Sequence, residues 1–152
     1  MDKELQSTEV YQKLVETIGF TIETARQKAI QAVNNELLKA NWEIGRYIVE
    51  YEQHGNEKAE YGSALLTNLA KDLKARFGKG FSKSNIYLMR QFYLKYQTFQ
   101  SVTGKLTWTH YAELLGISDD NARGFYEKQA INENWSVREL NRQINSSLFE
   151  RL

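Results

Sequence analysis

The sequence predicts an all-α protein: a helical domain with one long N-terminal helix followed by helix-turn-helix-like segments. Three observations carry this prediction. Proline is absent from all 152 residues, and the long stretches are rich in Ala, Leu, Lys, Glu and Gln, so the strongest helix breaker is missing where helix formers dominate. Apolar residues recur every three or four positions, with no strand-like alternation of useful length. Several segments open on a serine or threonine flanked by apolar residues at the positions of a capping staple.

The longest run is Ile22, Ala25, Ala29, Val33, Leu37, Ala40, Ile44, Ile48 and Tyr51, whose spacing averages about 3.6, the α-helical repeat. It predicts one amphipathic helix capped by Thr21, bent at Gly45 and ending near His54 and Gly55. A second set, Ile30, Leu38, Trp42 and Val49, widens the apolar surface. The helix is therefore expected to pack against more than one neighbour, either elements of its own chain or a second subunit in a homodimer. A shorter helix from Leu5 to Ile18, stopped at Gly19, is predicted before it.

Beyond Gly62, the apolar positions Leu66, Leu69, Ala70, Leu73 and Phe77 predict a helix that breaks at Gly78, Lys79 and Gly80. Phe81, Ser82 and Ile86 then form a staple around an N-cap, opening a helix to about Gln97 with Ile86, Met89, Tyr93 and Tyr96 toward the core. Helix, short glycine-bearing turn and capped helix is the helix-turn-helix pattern. Leu106, Thr107 and Tyr111 staple a further helix to about Leu115. Ser118 as N-cap, with Asp119 and Asp120 at the positive end of the helix dipole, starts one running to about Ile131, and Trp135, Ser136, Glu139 and Leu140 form a full capping box with its staple. The last helix turns Val137, Leu140, Ile144 and Leu148 inward and is still in phase at Leu152, which leads to the expectation that more protein follows. Residues 1–57 and 58–152 are read as two regions of one domain, a long-helix region and a helix-turn-helix-like region.

Charge is distributed unevenly. Residues 1–57 carry 6 basic and 10 acidic side chains, residues 58–105 carry 9 and 2, and residues 106–152 carry 5 and 7, so a near-neutral total conceals a middle third of net +7. That third contains Lys74, Arg76, Lys79, Lys83, Arg90 and Lys95, with Asn85 and Gln91 interleaved. Lysine and arginine neutralise phosphates and release counterions, whereas Asn, Gln and Arg on a helix can pair with base edges in the major groove. These eight residues are the candidate DNA contacts. On composition and spacing alone two readings stay open: a DNA-binding surface, or the solvated faces of a generic helical domain.

Other functions find little support. With no cysteine there is no disulfide, thiolate nucleophile or thiolate metal ligand. His54 and His110 do not share a metal-binding spacing, and His110 is expected to be a packed residue at the edge of the core. Glu36, Glu43 and Glu50 recur every seven residues on a solvated face. Asp72, Leu73 and Lys74 have the letters of a nuclease half-motif but fall inside a predicted helix, and Gly78-Lys79-Gly80 lacks the frame of a phosphate loop. No catalytic residue, metal or cofactor is expected. No run approaches the roughly 20 apolar residues of a membrane span, and the cytoplasm is the expected compartment.

The stretches AVNNELLKANWEIGRYIVEY from Ala32, YGSALLTNLAKDLKARFGKGFSKSNIYLMRQFY from Tyr61, LTWTHYAELL from Leu106 and ARGFYEKQAINENWSVRELNRQI from Ala122 resemble the N-terminal domain of the bacterial YhcG family. The runs Trp135 to Leu140 and Gly80 to Asn85 are the most specific parts. The resemblance implies a helical DNA-binding region that, in the family, is joined to a C-terminal PD-(D/E)XK nuclease domain and is associated with restriction and mobile-element contexts. Neither Pro-Asp nor a strand-borne acidic-x-Lys is found here, so the nuclease activity implied for the family does not carry over to these residues. The expected function is a DNA-binding module that targets such a nuclease. The alternative is a protein-interaction or oligomerisation domain of the same protein, without direct DNA contact.

Overall fold

A computed structural model describes residues 2–54, 58–99, 102 and 104–152. Six α-helices are present among them: α1 (Asp2–His54), α2 (Lys58–Phe77), α3 (Lys83–Lys95), α4 (Trp108–Leu114), α5 (Asp120–Asn132) and α6 (Val137–Asn145). The all-α prediction and its long N-terminal helix hold.

The two helices expected before His54 are one. Helix α1 is continuous for 53 residues, about 80 Å at 1.5 Å per residue. Gly19 does not stop it: one glycine costs only about 1 kcal/mol in a helix interior, and no second breaker reinforces it. Thr21 is not an N-cap, because its hydroxyl donates back to the Thr17 carbonyl at 2.9 Å, an intrahelical bond. Gly55, where the helix was expected to end, lies outside the described residues.

The apolar stripe on α1 also differs from expectation. Three of its second set face the core: Leu38 is fully buried, Val49 nearly so, and Trp42 packs against the main cluster while its indole Nε1 donates to the Tyr96 carbonyl at 2.7 Å, whereas Ile30 is 65% exposed. The longer set is exposed at Ile22, Val33, Leu37 and Tyr51, with Ile48 buried and Ile44 packed beside it. Gly45 is a crossing point. A Cβ built there would overlap the carbonyl of Met89 on α3, so only glycine allows the two backbones to approach this closely. The α1–α3 crossing is the most extensive helix packing among the described residues.

Two hydrophobic clusters form around it. The larger gathers Leu38, Phe92, Tyr96, Leu106, Tyr111, Leu114, Tyr126 and Leu140, joining α1 and α3 to the C-terminal helices. At its centre the Phe92 ring meets Trp108 and Tyr111, both with centroids at 5.2 Å. The smaller holds Ile48, Leu66 and Ile86 and seats α2 on α1 and α3. Asn34 ties α1 to the segment before α4, its Nδ2 donating to the carbonyls of Gly104 at 2.9 Å and Leu106 at 2.7 Å.

The caps follow local chemistry with some exchanges of partner. Ser82 caps α3, accepting from the Asn85 N–H at 3.1 Å. Asp119, not Ser118, caps α5. The full capping box expected at Ser136 is half made, because Glu139 turns its carboxylate forward to Arg142 and Gln143. The Arg142 guanidinium holds that carboxyl down at about 2. A reciprocal box forms instead at Thr107, where His110 supplies the returning acceptor.

Helix α5 closes on Asn134 and α6 on Ser147, both in the left-handed region, with the bonds Trp135 N–H to Ala130 and Leu148 N–H to Gln143 of a Schellman closure. Helix α6 therefore ends at Asn145, and Leu148 and Phe149 fold back on the core. The expectation of a helix still running at Leu152 is not met, because serine takes the position where glycine or asparagine was looked for. Among the described residues no helix is long and apolar enough to cross a membrane.

Candidate nucleic-acid interface

Helices α2 and α3 meet through Gly78, Lys79 and Gly80, with both glycines at positive φ. The Gly78 N–H returns to the Lys74 carbonyl at 2.8 Å, closing α2. Lys74 and Arg76 sit in its last turn, where the helix dipole favours cations, and Arg76 lies over the Phe77 ring at 5.4 Å. Lys79 is exposed in the turn and Lys83 in the first turn of α3. Chain connectivity therefore brings four of the candidate cations to one corner.

Helix α3 buries Ile86, Met89 and Phe92 against α1 and the core and leaves the opposite face open. Phe92 is as fully buried as Ile86, and the expected core set lacked it. Along the open face Lys83, Tyr87, Gln91 and Lys95 follow one another at intervals of four, a single ridge with a lysine at each end. Tyr87 and Gln91 are linked, the amide donating to the phenol oxygen at 2.6 Å. Beside the ridge, Leu66, Ser84 and Leu88 join Lys83 and Tyr87 in lining an open groove between α2 and α3.

Two of the eight candidates are held internally. Asn85 donates to the Gly80 carbonyl and accepts from the Trp108 indole at 2.8 Å, so its amide pins the turn to α4. Asn85→Ala is expected to lower stability by about 1–2 kcal/mol in urea unfolding, because a half-buried indole N–H loses its acceptor. The salt dependence of any DNA binding should be unaltered by that change. Arg90 donates through Nε to Glu52 of α1 at 2.6 Å, the ion pair being partly buried on both sides. Glu52 is thus a positioning residue that sequence reasoning missed, since nothing local relates it to a helix 38 residues away.

Three further titratable groups serve the core. His110 is 8% exposed, and its Nδ1 accepts from the Thr107 N–H at 3.1 Å. Its Nε2 is thereby left to donate to the Trp135 carbonyl at 2.9 Å. The packed role expected of it holds. Arg123, 5% exposed, donates to the Ile117 carbonyl at 2.8 Å and pairs with Asp120. Glu127 accepts from the hydroxyls of Tyr96 at 3.2 Å and Tyr111 at 2.8 Å.

Burial pushes the Glu127 carboxyl upward despite those two donors and the nearby Arg123 guanidinium, and burial likewise raises the Tyr96 phenol. Because its folded pKa exceeds the unfolded value, Glu127 favours the fold most when protonated, and that contribution fades as pH rises from about 4.5 through the folded value. Glu127→Gln should flatten this part of the stability profile, measured as the difference between variant and parent unfolding free energies from pH 4 to 8. A parallel offset across that range would contradict the assignment. Among the described residues no group of three or more His, Asp or Glu side chains is arranged to hold a metal ion.

Comparison with known proteins shows the family. Residues 17–151 match the family described as the DUF1016 N-terminal domain. The chain is 34% identical to the Escherichia coli (strain K12) protein named "Putative nuclease YhcG", with 95% of this chain aligned and 47% of that protein. The chain thus spans about half the length of this curated relative. No solved structure matches.

Proposed function

The chain belongs to the family of DUF1016 N-terminal domains, and on that footing we propose that it is a DNA-binding module serving a nuclease domain of the PD-(D/E)XK type. The observation that carries the reading is the open ridge of α3, with Lys83 and Lys95 at its ends and Tyr87 and Gln91 between them. A helix fits the major groove of B-DNA, and a basic residue at each end of its exposed face can meet the phosphates on either side of the groove. Lys74, Arg76 and Lys79 extend the cationic surface across the corner with α2. These contacts position the module, whereas Gln91, Ser84 and Tyr87 face the bases.

Asn85 and Arg90 drop out of the contact set under this reading and act as the scaffold that orients α3. Strand cleavage belongs to the portion of the relative that this chain does not cover. The test is duplex binding at several salt concentrations. With four or five phosphates neutralised, the logarithm of the binding constant should fall against the logarithm of salt with a slope of about −4. Absence of binding at low salt, or a slope near zero, overturns the proposal.

A further inference from the structure

The ridge of α3 leaves the first half of α1 without a role. Along it Tyr11, Val15, Ile18, Ile22, Ala25 and Ala29 alternate steps of four and three, the spacing of a heptad seam. The four large ones stand in solvent, with Tyr11 60%, Val15 46%, Ile18 50% and Ile22 45% exposed. We propose that this stripe is the seam of an antiparallel two-helix coiled coil formed with a second copy of the chain and centred on residue 20.

Four features select that occupant and that direction. At about 100° per residue, the stripe lies roughly half a turn from Leu38, Gly45 and Val49, which face the body, so the body does not obstruct a helix laid along it. In an antiparallel pair a positions meet d positions, and each seam pair here adds to the same sum: 11 with 29, 15 with 25, and 18 with 22. One register therefore satisfies every layer, and it sets Tyr11 on Ala29, Val15 on Ala25 and Ile18 on Ile22, bulky against small toward the ends.

A parallel pair would stack tyrosine on tyrosine and alanine on alanine, crowding one end and leaving the other hollow. The seam stops at Thr8 opposite Ala32, because the next layer would set Glu4 against Glu36, a like-charge pair that ends the pairing there. Charge agrees: residues 2–16 carry four acidic and two basic side chains, and the segment that would lie beside them, 24–38, carries one acidic and two basic. The paired stretch from 8 to 32 would run about 37 Å.

The chain has no cysteine, so introduced thiols report its pairing cleanly. Equimolar Tyr11→Cys and Ala29→Cys chains, oxidised together, should give the mixed disulfide, whereas each alone should stay uncrosslinked because like positions lie about 27 Å apart along the pair. Sedimentation of the parent chain should give a dimer, and Ile18→Glu with Ile22→Glu should raise its dissociation constant more than about a hundredfold. The unfolding midpoint of the Trp42 and Trp108 environment should be unchanged, since neither substitution touches the body. A monomer at high micromolar concentration, or a Tyr11→Cys disulfide formed by that chain alone, overturns the proposal. DNA binding does not enter either readout.

Discussion

Replacing Gly45 by alanine is expected to destabilise the protein by about 2–3 kcal/mol, although the same change in a free helix would stabilise it by up to about 1 kcal/mol. The sign is decided by what the new methyl meets. At Gly45 it overlaps the backbone carbonyl of Met89, which cannot rotate aside as a side-chain tip could, so α1 and α3 must separate. Their crossing seats Ile86, Met89 and Phe92, and separation loosens both hydrophobic clusters at once. Gly19→Ala is the matched control on the same helix, because nothing lies within 4 Å of a Cβ there, and it should be neutral or stabilising. Urea unfolding of the two variants followed by circular dichroism and by tryptophan fluorescence gives both values. Equal midpoints would mean that the crossing is not as tight as described.

Neutralising Lys74, Arg76, Lys79, Lys83 and Lys95 together, each to glutamine, is expected to weaken duplex binding by on the order of a thousandfold at about 50 mM salt and to bring the salt slope near zero. All five side chains are exposed, so the fold should lose little, and unchanged helicity and unfolding midpoint serve as the internal check. The contrast with Arg90→Gln separates binding from scaffold. Arg90 is paired with Glu52, so its loss should lower stability first and change affinity chiefly through the placement of α3. Were Arg90→Gln alone to lower the slope by a full unit with stability intact, Arg90 would return to the contact set.

The starts of α3, α4 and α6 were legible because a cap and its staple act within five residues. Helix ends were read unevenly: the break after Phe77 and the end of α5 near Ile131 were met, whereas Ser147 closes α6 in the left-handed region without glycine, and Gly19, which does signal an end, sits inside an uninterrupted helix. The corner of basic residues at Lys74, Arg76, Lys79 and Lys83 could be read directly, since ten residues around a tight turn must lie together. The fates of Asn85 and Arg90 could not. A polar side chain on a helix surface has the same local sequence whether it faces DNA, an indole 23 residues on or a carboxylate 38 residues back.

Periodicity on α1 likewise established which residues share a face without establishing what covers it. The longer stripe, Ile22 to Tyr51, was as good a core candidate as the set that fills the core. Sequence by itself determined the helical class, the capped starts and the clustering of positive charge, because backbone hydrogen bonding, capping and i to i+4 spacing are short-range and act on neighbours in the chain. Tertiary structure alone decided which face of α1 is buried, that Gly45 is a crossing, and that Arg90 is paired with Glu52. Those outcomes depend on backbones and side chains far apart in sequence competing for the same space, and that competition is resolved only when the helices pack.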